Sequence, residues 1–267
     1  MQLAFCGTAA GAFTAERASS GYILRSDDGS IMLDCGPGSV RQALCLGIDL
    51  RTIDAVLISH LHEDHCLDLS SIAFQALYGR WERLPLLLGP PGTQEVGSRL
   101  MAMHRPNAHL PALEVTEIGD VDEREVAGFV VLSRETPHAP EVQAFARRFT
   151  FGGRSMVFSG DTSPNPDLMS ELAAGTDLLL HECFSAAGLE RYAALKQPEA
   201  AARVLQRIPL THSEVGSVAR IAADTGVPRL VLTHILPTED EDDLRRIASQ
   251  FYKGELTIAR DGLTLEV

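Results

Sequence analysis

Within six residues, His60-Leu61-His62-Glu63-Asp64-His65, the chain offers three imidazoles and the Asp64 carboxylate. That donor set suits Zn²⁺, with Mn²⁺ or Fe as alternatives. A lone His-x-His would pass for a polar surface turn, but the full set of His and Asp at these offsets points to metal. The segment directly follows the apolar run AVLIS. A turn placed there can aim His60 and His62 one way and Asp64 and His65 another, so that one loop serves two neighbouring cations. Three more apolar runs end in metal-competent residues: SMVFS before Gly160-Asp161, DLLL before His181-Glu182, and RLVLT before His234. Donors at the carboxyl ends of strands converge on one sheet edge, where open αβ sheets bind their ligands.

The elements that would carry these donors are legible in outline. Strands are expected at Gln2–Cys6, at Gly21–Arg25 and Ser30–Leu33 around the hairpin signal Asp27-Asp28-Gly29, and at Ala55–Ser59 and Leu84–Leu88. Further strands are expected at Val126–Ser133, Ala144–Phe151, Ser155–Ser159, Asp177–Leu180 and Arg229–Thr233, with a closing strand pair around Asp261-Gly262. Helical spacing marks Val40–Leu46, Leu67–Tyr78, Pro166–Ala174, Ser213–Thr225 and Glu239–Gln250. Strands and helices alternate without a Ser/Gly-rich linker, charge block or repeat, which predicts one α/β domain over residues 1–267.

Composition narrows the classes. The 267 residues are 45% hydrophobic and 22% charged, as in a globular chain with a sizeable core. The net charge of -13 repels polyphosphates at long range and argues against general nucleic-acid binding. Five scattered cysteines with no CxxC pair read as reduced thiols. No apolar run reaches the ~20 residues needed to cross a bilayer. The N-terminal stretch lacks a basic n-region and reads as a strand and turn. A cytoplasmic protein without membrane contact is the expectation.

With HxHxDH standing as His60, His62, Asp64 and His65, the sequence resembles the metallo-β-lactamase superfamily over nearly its whole length. The resemblance implies a four-layer αββα sandwich. It matches Asp34 in IMLDCG to the family's early structural Asp, His138 in ETPHAP to the next ligand, Asp161 in FSGDT to the bridging carboxylate, and His234 in VLTHILP to the last ligand. By this resemblance one divalent cation takes His60, His62, His138 and Asp161, and a second takes Asp64, His65, Asp161 and His234. Asp at position 161, where β-lactamases commonly place Cys, resembles hydrolytic phosphodiesterases and glyoxalase II. His62, where flavodiiron relatives carry Glu, argues against a redox di-iron role. The loop Gly7–Gly11, the pair His181-Glu182 in LLLHECF and His212 in THSEVGS resemble the tRNase Z and arylsulfatase branch. There the matching Glu and His form a proton-donating pair, a role carried onto Glu182 and His212.

Two departures shape the expected substrate. Typical tRNase Z has Gly where Glu63 stands here. It also carries a long tRNA-clamping arm between the third ligand His and the bridging Asp, whereas only residues 139–160 separate His138 from Asp161. A small phosphodiester is therefore expected rather than precursor tRNA, with nucleic acid an improbable partner and a homodimer left open. The expected nucleophile is a metal-bridging hydroxide that Asp64 helps to orient, with His212 as general acid. Sulfate-ester, phosphotriester or lactone hydrolysis are the alternatives on the same scaffold, and a non-catalytic metal- or nucleotide-binding protein is the alternative from another class. His181 is expected to brace the site and Cys66 to pack beneath it. Phe74, Tyr78, Trp81, Met101 and Met103 are expected in the core. His104 and His109 read as rim residues, and the loops 80–95 and 104–113 as carriers of specificity.

Overall fold

In the computed structural model, which describes residues 1–103 and 110–267, the chain forms two seven-stranded sheets packed face to face. The first sheet contains β1 (Gln2–Gly7), β2 (Gly21–Arg25), β3 (Ser30–Leu33), β4 (Ala55–Leu57), β5 (Leu86–Gly89) and β6 (Val115–Glu117) in that order. The second runs from β7 (Asp122–Val126) through β8 (Phe129–Thr136), β9 (Ala144–Phe151), β10 (Arg154–Phe158), β11 (Leu178–Glu182) and β12 (Arg229–Thr233) to β13 (Glu255–Ile258). The last strand, β14 (Thr264–Glu266), returns to pair antiparallel with β1.

Period-two alternation explains the layers. Leu3 and Phe5 of β1, and Leu178 and Leu180 of β11, point between the sheets and pack with Tyr22, Phe129, Phe149 and Phe158. Their alternates face outward. Ala4, Cys6 and Met32 lie under α1 (Ser39–Cys45), α2 (Glu63–Cys66), α3 (Leu69–Gly79) and α4 (Thr93–Ala102). Leu179 and Cys183 lie with residues of α5 (Pro166–Ala173), α8 (Val215–Thr225) and α9 (Glu241–Phe251). The α/β sandwich with helices on both outer faces is the architecture implied by the resemblance. Two further helices, α6 (Ala186–Ala194) and α7 (Pro198–Thr211), sit apart from the three large apolar clusters and join a fourth, small one. No described helix is long and apolar enough to cross a membrane.

Four sequence expectations need correction. The single strand expected at Val126–Ser133 is a hairpin. Its turn falls at Ala127-Gly128, both with positive φ (49° and 80°), and an alanine there gives no turn signal. The closing strands around Asp261-Gly262 do not pair with each other: β13 is parallel to β12 in one sheet and β14 joins β1 in the other. Phe74 and Tyr78 are exposed and pack against one another along α3 at a tilt of 42°, with ring centroids 4.6 Å apart, instead of lying in the core. Met103 is likewise exposed, while Trp81 and Met101 are half-buried against the cluster beneath α1–α4. His104 and His109 lie outside the described residues.

Candidate metal centre

Parallel pairing places the donor-bearing strand ends on one edge. β3 and β4 are parallel neighbours, as are β10, β11 and β12. β8 is two antiparallel steps from β10 and so shares its direction. Asp34, the His60–His65 loop, His138, Asp161, Glu182 and His234 therefore emerge together. Asp34 and His234 hold φ of 55° and 54°, a left-handed backbone that non-glycine residues adopt at a cost. Gly160 (φ 56°) turns the chain into Asp161; a Cβ there would press to 3.0 Å on Phe145 O. At Gly36 the chain passes so close to the ligand loop that a Cβ would sit 1.9 Å from the Asp64 carbonyl oxygen.

All seven residues matched as ligands come together. His60 Nε2 lies 2.9 Å from His62 Nδ1, which lies 3.3 Å from His138 Nε2. His65 Nε2 and His234 Nε2 each lie 3.4 Å from Asp64 Oδ2. Asp161 Oδ2 sits between these sets, 3.3 Å from His65 Nε2, 3.4 Å from His234 Nε2, 3.8 Å from His60 Nε2 and 4.0 Å from His138 Nε2. Three groups of donors, His60/His62/His138, His60/His65/Asp161 and Asp64/His65/His234, each lie within 4.8 Å of one another.

Outer partners fix which nitrogen faces inward. His65 Nδ1 donates to Asp34 Oδ2 at 2.7 Å, leaving Nε2 for the cluster. Asp34 is fully buried and also accepts from Ser59 N, Ser59 Oγ and Ser20 Oγ, so it braces His65 from behind. His138 Nδ1 donates to Thr211 O at 2.7 Å, one of the terminal carbonyls that α7 leaves without an intrahelical partner. Asp64 Oδ2 accepts from Gly11 N at 3.0 Å, which gives the loop after β1 its function. That loop is tied to the residue after His234 by Ala10 N to Ile235 O and Ile235 N to Thr8 O.

The electrostatics suit cations. Burial holds the pKa values of His60, His62 and His138 below the ordinary imidazole value, so their lone pairs are free to ligate. Burial also opposes charge on His65, but Asp161, Asp64 and Asp34 outweigh it and push its pKa well above normal. The same carboxylates would favour a cation against His65 Nε2, a buried nitrogen with no hydrogen-bond partner. Asp64 and Asp161 are held well below the usual carboxylate range: burial works against this, and the surrounding imidazoles prevail. The donor set fits divalent metal.

Beside the cluster, His212 Nδ1 donates to Glu182 Oε2 at 3.1 Å, while Thr162 N and Ser213 N hold Glu182 Oε1. Burial disfavours protonated His212, yet the Glu182 carboxylate prevails and raises the pKa to about 9. His181 is buried outside the donor groups, with Nδ1 donating to Glu182 O. Cys66 is buried, its thiol donating to His62 O and pushed by burial up to about 12. Glu63 is exposed at the start of α2.

A cavity of about 210 Å³ opens over this floor, lined by Asp64, Asp161, His62, His212 and His234 on one side. Its lining also includes the apolar Phe184, Tyr192, Ile208 and Leu236. The described residues of 80–95, expected to carry specificity, do not line it; α6 and α7 do, and the sequence reading left those helices out.

A family model described as anti-Pycsar protein Apyc1 matches residues 1–216. The chain belongs to that family. It is 30% identical to the ribonuclease Z of Mycolicibacterium gilvum, with 98% of this chain and 94% of the relative covered. The ribonuclease Z of Mycobacterium marinum is 28% identical, with 100% and 99% covered. Among solved structures, the metallo-β-lactamase fold protein YhfI from Bacillus subtilis has a TM-score of 0.80 at 26% identity, over 99% of both chains. Human tRNase Z, short form, has a TM-score of 0.75 at 22% identity, covering 100% of this chain and 99% of its own, a likeness of fold. The protein is a metallo-β-lactamase-fold, metal-dependent hydrolase of the tRNase Z-like branch, acting on ester bonds. The ribonuclease Z names give no support to the expectation that nucleic acid is an improbable partner.

Proposed function

We propose that this chain hydrolyses a small phosphodiester using two divalent cations, with zinc the best match to the donors. His60, His62, His138 and Asp161 would hold one, and Asp64, His65, Asp161 and His234 the other. The observation that carries this reading is the position of Asp161 Oδ2, within 4.0 Å of five imidazole nitrogens, four from the two donor sets and the fifth His212 Nδ1. When bound, such cations acidify water and neutralise charge growing on a phosphoryl oxygen.

The chain's own groups supply the rest. Asp64, anchored by Gly11 N, orients the nucleophilic side of the site. His212 keeps Nδ1 on Glu182, which leaves Nε2 to deliver a proton to the departing alkoxide. Glu182 acts through His212 as a positioning residue. Supporting a small substrate, the cavity falls below the roughly 300–1,000 Å³ of sites for drug-sized ligands. No described lysine or arginine lines it. The β9–β10 hairpin, turning at Gly152-Gly153, fills the place between His138 and Asp161 where a tRNA-clamping arm would be inserted. Four buried thiols and one exposed thiol, all unpaired, fit a reducing compartment, and we place the chain in the cytoplasm.

The test is hydrolysis by metal-replete protein of a panel of chromogenic phosphodiesters, phosphotriesters, sulfates, lactones and a β-lactam, alongside a precursor-tRNA gel. Preferential turnover of phosphodiesters with negligible tRNA processing is expected. Efficient, specific 3′ cleavage of the precursor at physiological salt would replace this reading with an RNA substrate, the second reading that the names of the relatives favour.

A further inference from the structure

Each imidazole of the two donor sets turns one nitrogen to the cluster and leaves the other to find a partner outside it. For four of the five that partner is buried. His65 Nδ1 meets Asp34, His60 Nδ1 lies 3.0 Å from Ser59 Oγ, His138 Nδ1 donates to Thr211 O, and His234 Nδ1 lies 4.0 Å from Glu182 Oε2. His62 is the exception. It faces His60 and His138 through Nδ1, which turns Nε2 outward, and its side chain is 27% exposed. The carboxylate beside that Nε2 is Glu141, with Oε1 3.9 Å away. Glu141 stands three residues after His138, between β8 and β9, and is itself exposed. Arg207 of α7 donates Nη2 to the same Oε1 and holds it in an ion pair.

We propose that Glu141 is a positioning residue for His62, the outer partner that fixes which nitrogen the ring offers to a cation. The proposal rests on the reading of His62 as a ligand given above. A carboxylate beside one ring N–H sets the tautomer and makes the opposite nitrogen a better donor. At 3.9 Å the two groups attract, and torsion of an exposed side chain closes the gap without moving the backbone. Arg207 limits that torsion from α7, so the helix whose Thr211 carbonyl braces His138 also braces His62 through Glu141. Solvent separates this brace from the others. Asp34 is fully buried, where salt screens little, whereas Glu141 lies among the ions of the solution. The contribution of Glu141 to metal affinity therefore fades with ionic strength, and that of Asp34 persists.

Zinc-replete protein titrated with a chromogenic chelator reads this without turnover. At about 0.01 M of a salt with a non-coordinating anion, Glu141→Ala should weaken one of the two zinc ions by roughly tenfold, the lower end for partners of this kind. Glu141→Gln keeps an acceptor but not the charge, and should lose less. Arg207→Ala should cost about threefold, the size of an exposed ion pair. At about 1 M salt, where the Debye length falls to ~3 Å, the Glu141→Ala loss should shrink to about twofold while the Asp34→Ala loss remains. A Glu141→Ala loss that salt leaves unchanged overturns the electrostatic role. Full zinc affinity in Glu141→Ala, with His62→Ala weakened, also overturns it and leaves the two-cation reading standing. Full zinc affinity in His62→Ala overturns that reading, and the role of Glu141 with it.

Discussion

The floor and the wall of the cavity are built from different material. The floor rests on the ends of β3, β4, β8, β10, β11 and β12, and its imidazoles are pinned from behind by Asp34, Ser59 and Thr211. The wall adds α6 and α7 to Phe184 and Leu236 at the ends of β11 and β12, and α7 buries little: Thr211 is its one buried residue, while Leu205 and Leu210 are exposed. Chemistry that needs several donors held at once is placed on the ends of strands locked in two sheets. Changes in the floor should therefore abolish function, and changes in the wall should cost less.

The largest effect is expected at Asp161, the carboxylate common to both donor sets. Asp161→Ala should lose most bound metal and about 10³-fold or more in kcat, read by elemental analysis and a diester assay. Asp64→Ala should mainly weaken the position shared with His65 and His234.

His212→Ala should slow esters of ordinary alcohols by about 10²–10⁴-fold and esters of p-nitrophenol much less, because a stable leaving anion needs little protonation. Metal content should be unchanged. Equal losses on both ester types would make His212 a substrate-binding residue, and loss of metal would make it a ligand, as its place near His138 and Asp161 allows.

Asp34→Ala removes no ligand but frees His65 to rotate. It should cost roughly 10–100-fold in metal affinity, measured by chelator competition.

The smallest effect is a pH limb. His212 is lifted from 6.5 to about 9 by Glu182 against the opposing effect of burial, so it holds its proton at neutral pH. Turnover of alkyl esters should fall as pH rises through about 9, earlier where bound cations repel the imidazolium, and His212→Ala should erase that limb. Stability follows the same sign: the contribution is full below 6.5 and is lost as pH rises through about 9.

The same contrast decides what could be read from sequence. The floor was legible because His60 to His65 are adjacent in the chain and Asp161 and His234 closely follow apolar strands, while His138 was reached only through the family resemblance. The bracing by Thr211 O and Gly11 N was not, since a backbone group leaves no mark in residue identity. The wall was missed because Pro209 reads as a break within α7 and hides the stripe of Ala201, Val204 and Ile208. The two-sheet sandwich was implied by the family resemblance that the HxHxDH motif carries, whereas the separation of β13 from β14 depends on pairing partners more than twenty residues away in the chain.

The central claim is that one carboxylate edge serves two cations, and counting them tests it most directly. Elemental analysis of metal-replete protein should give two divalent ions per chain, and Asp161→Ala should lose most of both. At most one ion per chain in the unsubstituted protein would contradict the binuclear centre.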